Sequence, residues 1–161
     1  MSIRFNIRHL EEKSRLLKGD LPVSELDLAG VDELIHLSQP LSYDLEVQLL
    51  EKSVLVQGTL SLRLVCECAR CLKPYSHELS LEGWALHLAL EGEEKVAINN
   101  DYVDLTPYVR EDILLAFPQH PLCESECKGL AIGRSDPKKP GTGRGPEPGA
   151  AVWAELNKLK L

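Results

Sequence analysis

The sequence predicts an α+β fold in which a curved antiparallel β-sheet, a partial barrel, packs against one helix. Three segments, 41–50, 54–66 and 75–90, alternate apolar and polar residues, as strands with one buried face do. A fourth segment, near 107–117, has apolar residues at helical spacing instead. The chain has 161 residues, 43% of them hydrophobic and 27% charged, which suits a globular domain with a real core.

The N-terminal segment begins with a short alternation. Ile3, Phe5 and Ile7 are separated by polar residues and predict a brief strand. Residues 10–17 are predicted to form a short helix that ends at Gly19.

The three central segments predict the body of the sheet. In the second segment, the even-numbered apolar residues from Val54 to Cys66 share one face of the strand. In the third, the apolar phase shifts at Gly83, which predicts a β-bulge or a bend there.

The predicted helix has recognisable ends. Thr106 is the expected N-cap, Pro107 suits the first helical position and Pro118 stops the helix. Val109 and Ile113 lie on the face that should pack against the sheet.

Composition divides the chain into three parts. Residues 1–130 form the β-rich domain, and residues 131–149 are predicted to be a flexible linker, because nine of the 17 residues in 133–149 are Gly or Pro. Residues 150–161 regain the pattern of an amphipathic helix. A helix this short is marginal alone, so it should dock either on its own domain or on a partner.

Charge separates the same parts. Residues 1–127 hold 22 of the 25 acidic residues, whereas residues 128–161 hold seven of the 18 basic ones. An acidic body does not attract nucleic acid at long range, so a contact with RNA would have to be local. The basic tail could supply that contact or could merely stay solvated. No segment is apolar enough to span a membrane or to act as a signal peptide, and we expect a cytoplasmic protein.

Four of the five cysteines form two close pairs. Cys68 and Cys71 make a C-x-x-C after a strand, and Cys123 and Cys127 make a C-x-x-x-C after the helix. Two thiolate pairs on separate turns are what a tetrahedral structural Zn²⁺ site requires. Cys66 lies on the apolar face of its strand and is interpreted as a buried structural cysteine.

Other interpretations of the sequence remain open. The cysteines could be reduced and unliganded, or Cys68 and Cys71 could be redox-active, although such a pair usually opens a helix in a βαβ unit. No nucleophile, phosphate-binding or dinucleotide motif is present, and the chain is predicted not to be an enzyme. The acidic residues around the helix start fit its dipole better than a catalytic pair; they are Asp101, Asp104, Glu111 and Asp112.

Four runs of sequence together resemble the YceD family of large ribosomal RNA subunit accumulation proteins. They are residues 64–75 (LVCECARCLKPY), 104–118 (an acidic helix ending in proline), 121–130 (PLCESECKGL) and 153–159 (WAELNKL). Many relatives continue with a further cysteine pair, but Ala131 stands where the first of those cysteines would be.

The resemblance implies a non-enzymatic bacterial factor that supports accumulation of 23S ribosomal RNA, in processing or in assembly of the large subunit. The implied partners are the pre-ribosomal large-subunit particle, ribosomal proteins and the ribosomal RNA, with no membrane and no small-molecule substrate. The residues we expect to contact them are Arg70, Lys128, Lys138, Lys139, Arg144 and Trp153. The alternative functions are a zinc- or redox-responsive regulator that uses Cys68 and Cys71, and an RNA-cleaving or RNA-modifying enzyme.

Overall fold

The structure is a computed structural model that describes residues 2–11 and 13–130. The predicted linker and C-terminal helix lie outside the described residues, as do Lys138, Lys139, Arg144 and Trp153. No helix in the described part of the chain is both long and apolar enough to cross a lipid bilayer.

Within the described residues, seven strands and three helical segments follow one another. In order they are β1 (Arg4–Asn6), a 3-10 helix (Ile7–Leu10), β2 (Arg15–Leu21), α1 (Val23–Leu26), β3 (Ile35–Leu37), β4 (Leu41–Leu49), β5 (Ser53–Glu67), β6 (Pro74–Ala89), β7 (Tyr102–Asp104) and α2 (Thr106–Leu115).

The main sheet is antiparallel and is organised around β5. β6 pairs with β5 along its whole length, while β4 and then β3 pair with its other edge, and β2 pairs with β4. β1 and β7 form a separate two-stranded ribbon. The sheet is strongly curled into a half-barrel, which confirms the predicted α+β architecture and the three long central strands.

Alternation along β5 builds the core. Its even-numbered apolar side chains, from Val54 to Cys66, are buried, while Gln57 and Arg63 on the opposite face are exposed. The strand register shifts where Gly58 faces Trp84 and Leu60 faces Leu81, so that two residues of β6 oppose one of β5. The predicted bulge at Gly83 is therefore confirmed, and Gly83 has the positive φ of 67° that such a position favours.

Helix α2 packs against the inner side of this curled sheet. Val109 and Ile113 are buried, as their spacing predicts. At the helix, Trp84 Nε1 donates a hydrogen bond to Asp112 Oδ2 at 2.6 Å, and Arg110 Nε donates one to the carbonyl of Leu26 at 2.9 Å. These bonds tie α2 to β6 and to the C-terminal end of α1.

Two local predictions were wrong. Residues 10–17 do not form a helix, because Leu10 ends the 3-10 helix and Arg15 begins β2, whose seven residues pair with β4. Cross-strand pairing outweighs weak helical propensity here. Thr106 is not the N-cap: it lies within α2 and its backbone N–H donates to Asp104 Oδ1 at 2.9 Å.

Candidate metal centre

The first cysteine pair lies on the connection between β5 and β6. The amide of Leu72 donates to the carbonyl of Cys68 at 2.8 Å, and the amide of Cys68 donates to the carbonyl of Lys73 at 3.0 Å. Both bonds close a tight turn that brings Cys71 back over Cys68. Leu72 reaches the left-handed region, with a φ of 60°, and its side chain is 56% exposed.

The second pair lies beyond α2 in a turn of its own. The amide of Cys127 donates to the carbonyl of Glu124 at 3.1 Å, so the three residues between Cys123 and Cys127 form a single bend. Gly129 follows with a φ of 82°, and a Cβ there would lie 3.5 Å from the carbonyl oxygen of Arg70.

Backbone and side-chain hydrogen bonds join the two turns. The amide of Ala69 donates to the carbonyl of Pro121 at 2.8 Å, and Arg70 Nη1 donates to the carbonyl of Cys127 at 2.9 Å. A segment following the helix is thereby fixed against a hairpin turn more than 50 residues earlier in the chain.

The four sulfur atoms form one compact cluster. Each lies within 4.8 Å of the others; Cys68 Sγ is 3.7 Å from Cys127 Sγ, and Cys71 Sγ is 3.6 Å from Cys123 Sγ. A tetrahedron of sulfurs around Zn²⁺ has edges of about 3.8 Å, given a Zn–S distance of about 2.3 Å. A disulfide would require about 2.05 Å. The sulfurs are therefore spaced for a shared metal ion, and the four cysteines could bind one.

The electrostatics of the cluster favour a cation. Backbone N–H groups of Cys123, Cys71 and Arg70 outweigh burial and lower the pKa of the Cys68 thiol to about 6. Burial, with hydrogen bonds to the other three thiols, raises the pKa of Cys123 to about 12. One thiolate is thus stabilised and further ionisation is opposed, since the sulfurs are so close. A divalent ion would supply the charge that allows all four to ionise.

Cys66 lies outside this cluster. It is fully buried on the core face of β5, which confirms the prediction for it, and burial raises the pKa of its thiol even though the Tyr75 side chain hydrogen-bonds to it. It is directly opposite Tyr75 in the strand pairing. Its role is in the packing of the sheet.

The outer side of the cluster is open. Cys71, Cys123 and Cys127 are partly exposed and line a shallow cavity of about 450 Å³ together with Lys73 and Lys128. Of the predicted contact residues that the structure describes, Arg70 and Lys128 are both exposed at this site. Both belong to its margin.

Two features of this site were not predicted from the sequence. The first is the left-handed backbone of Leu72, although the position of Leu72 directly after the C-x-x-C turn was a usable signal. The second is the structural role of Arg70, which was predicted only to contact a partner but whose guanidinium also holds the second turn through the carbonyl of Cys127. That role has no signal in the sequence, because the two residues are 57 positions apart.

Comparison with known proteins agrees with these observations. A family model described as "Large ribosomal RNA subunit accumulation protein YceD" matches residues 56–160, more than half of the chain, including both cysteine pairs. This chain belongs to the YceD family. That finding confirms the resemblance, and the match begins within β5 and includes all of β6, β7 and α2.

Several relatives of the chain carry names that describe them as uncharacterized. Proteins of Mycobacterium tuberculosis and Mycobacterium bovis, each named as uncharacterized, are 29% identical over 137 residues, covering 79% of this chain and 66% of theirs. The uncharacterized protein YlbN of Bacillus subtilis is 35% identical over 80 residues, 47% of this chain and 46% of its own. The chain thus spans slightly less than two thirds of the mycobacterial relatives. No solved structure matches it significantly.

Proposed function

We propose that this chain is a non-enzymatic factor that supports accumulation of large-subunit ribosomal RNA. The match of residues 56–160 to the YceD family model carries the proposal, because the description of that family refers to this RNA. The partners we propose are the pre-ribosomal large-subunit particle, its ribosomal proteins and the RNA itself.

We further propose that the four-cysteine cluster holds one structural Zn²⁺. Four thiolates are soft ligands that suit zinc, and the sulfur spacing matches a tetrahedral edge. With four protein sulfurs the ion would have no open position for water or substrate, so its role would be to join the two turns. It would hold Arg70 and Lys128 at one surface, where they could contact the partner.

Native mass spectrometry tests the zinc site. We expect one zinc per wild-type chain and none in Cys71→Ser, because three thiolates hold the ion far more weakly. Cys66→Ala is the matched control, since it also removes a cysteine but lies outside the cluster, and it should retain the zinc. Equal zinc content in all three proteins would contradict the assignment.

Sedimentation of the tagged protein from cell lysate tests the function. Co-migration with large-subunit precursors, abolished by ribonuclease, is the expected result. A deletion that ends the chain at Gly133 should weaken this association if the basic tail takes part, and unchanged association would dismiss the tail's role. Migration as free protein in both samples would contradict the proposed function.

A second candidate, a metal- or redox-responsive regulator, is favoured by the lowered pKa of Cys68. A thiol with a pKa of about 6 is largely ionised at neutral pH, which is the reactive form. This function requires one cysteine to react much faster than the others in the native protein. Uniformly slow alkylation of all five cysteines would count against it.

A further inference from the structure

A second feature of the body, remote in sequence from the cysteines, is its basic N-terminal region. Five of the 11 lysines and arginines in residues 1–127 fall between positions 4 and 18, although this part of the chain is acidic overall. They are Arg4, Arg8, Lys13, Arg15 and Lys18. Three of them pair with aspartates of other segments, Arg4 with Asp104, Arg8 with Asp101 and Lys18 with Asp44.

A cavity of about 210 Å³ opens within this region, between the β1–β7 ribbon, the 3-10 helix and β2. Among the described residues that line it, three are basic, namely Arg4, His9 and Arg15, and none is acidic. An anion that enters the cavity would meet the guanidinium group of Arg15 and that of Arg4, which Arg4 shares with the Asp104 carboxylate.

The ion pairs of these residues leave charge available. Arg4 Nε lies 3.2 Å from Asp104 Oδ2, and both side chains are partly exposed. Among the described residues no carboxylate lies within ion-pair distance of Arg15, and its side chain is exposed on β2. Arg15 is thus the cation best placed to receive an anionic group.

An aromatic ring stands at the edge of the same cavity. Tyr102 is 46% exposed, and Leu16 on the opposite strand is 65% exposed. The backbone of Tyr102 is fixed by reciprocal 2.9 Å hydrogen bonds with Asn99 and by its pairing with Asn6 across the ribbon. A large apolar surface held rigidly beside cations is unusual for a solvated face, and it suits stacking of a planar base.

Tyr102 and Arg4 also line a second cavity, of about 350 Å³, on the neighbouring side of the ribbon. Asn99, Asn100 and Asp104 line it as well, and the Asp104 carboxylate would repel phosphate there, so this side suits a base edge rather than a phosphate group. Amides can donate to and accept from base edges, which a surface that binds only phosphate does not need. The two adjoining cavities would accommodate successive nucleotides on either side of the ring.

We propose that this cleft, defined by Arg4, His9, Arg15 and Tyr102, binds single-stranded RNA, with phosphate at Arg15 and a base stacked on Tyr102. The choice of RNA among phosphate-bearing ligands rests on the proposed function, whereas the anion and stacking chemistry rests on the residues themselves. An acidic peptide would satisfy the arginines but would leave the ring and the two amides unused. The cleft is a contact on the body, separate from the basic tail.

Fluorescence anisotropy of a fluorescein-labelled ten-nucleotide single-stranded RNA of mixed sequence, titrated with the full chain, tests this site. Tyr102→Leu keeps an apolar strand residue but removes the ring, and should weaken binding at least about fivefold, the smallest effect of losing one stacked base. Arg15→Gln should also weaken binding, and should reduce the slope of log affinity against log salt by about 0.7, the value for one phosphate contact with a single strand.

Arg63→Gln is the matched control for Arg15→Gln. Both are exposed arginines on strands of the main sheet, and the substitution changes the net charge equally. Arg63→Gln should leave the affinity for RNA and the salt slope close to those of the wild type. Equal loss in both arginine variants would show that only overall charge matters and would overturn the proposal.

Ultraviolet crosslinking of the wild-type complex, followed by peptide mass spectrometry, locates the contact without relying on variant stability. RNA attached to the peptide that contains Tyr102 is the expected result. Crosslinks confined to residues 128–161, or RNA binding by Tyr102→Leu equal to wild type, would overturn the proposal. If the wild-type chain co-sediments with ribosomal precursors but fails these tests, the RNA-binding cleft is refuted and the proposed function stands. If it does not co-sediment, the proposed function itself is refuted.

Discussion

Along β5, side chains from Val54 to Cys66 are no more than 1% exposed at every inward position. The cysteine turns are residues 68–73, directly after this strand, and residues 121–129, beyond α2; in them only Cys68 and Pro121 are buried. Burial of apolar area therefore stabilises the sheet. The turns bury almost no apolar area and depend on hydrogen bonds and on the ion proposed to join the four sulfurs. Because different interactions stabilise the sheet and the turns, one region should be able to unfold without the other.

The largest expected effect is in the sheet, at Gly58. A Cβ on this residue would lie 2.0 Å from the carbonyl oxygen of Asp44 and 2.8 Å from the Cα of Leu45, so β4 and β5 could not keep their present separation. We expect Gly58→Ala to reduce the free energy of unfolding by more than about 3 kcal/mol, measured by urea denaturation.

The control for that variant is Gly30→Ala. Gly30 has a φ of 74° but no atom within 4 Å of an added Cβ. It should lose only the roughly 1–2 kcal/mol that a left-handed alanine costs. Equal destabilisation at both sites would mean that close packing of β4 on β5 is not what Gly58 protects.

Loss of the proposed Zn²⁺ should affect the turns more than the sheet. After chelation, or in Cys71→Ser, we expect amide hydrogen exchange at residues 68–73 and 121–129 to accelerate at least about tenfold, because their cross-link is gone. Amides of β5 and β6 away from the turn should exchange nearly as before. Hydrogen-exchange mass spectrometry of proteins with and without metal makes this measurement, and uniform acceleration would show that the two regions are one cooperative unit.

The junction between the sheet and α2 should show an intermediate effect. Trp84→Phe preserves an aromatic ring but removes the 2.6 Å hydrogen bond to the Asp112 carboxylate. We expect a loss of about 1.5–3 kcal/mol, typical of a bond to a charged group. A double-mutant cycle with Asp112→Ala, followed by thermal denaturation, should give a coupling energy well above zero; additivity would contradict the assigned bond.

The smallest effect concerns the pH dependence of the β1–β7 ribbon. Burial alone would raise the pKa of Asp104, but hydrogen bonds from Thr106 and the neighbouring Arg4 outweigh it and lower that pKa. A carboxyl whose pKa is lowered in the folded state stabilises the protein at pH values above the pKa of the same carboxyl in the unfolded chain, near 4. This stabilisation is lost as the pH falls through the pKa of the carboxyl in the folded state. The stability difference between wild type and Asp104→Asn should be at most about 1 kcal/mol at neutral pH and should shrink on acidification. A difference that grows below pH 4 would contradict this assignment.

Much of the sheet was predictable because its signals are local. Alternation identified both ends of β4, β5 and β6 to within one residue, and the change of phase identified the bulge at Gly83. β2 was missed because its pairing with β4 depends on residues at least 20 positions away. Thr106 was misassigned as a cap because Asp104, two residues earlier, supplies the side-chain acceptor instead.

The half-barrel sheet, the packing face of α2 and the identity of the four clustered cysteines could all be read from the sequence, since strand alternation, helical spacing and ligand spacing are short-range patterns. Folding of the whole domain was needed to bring Cys68 Sγ within 3.7 Å of Cys127 Sγ and Cys71 Sγ within 3.6 Å of Cys123 Sγ, each across the two turns. It alone also brought Arg15 and Tyr102 to one cleft. Such contacts depend on how distant segments meet when apolar faces are buried together, and no local pattern encodes that meeting.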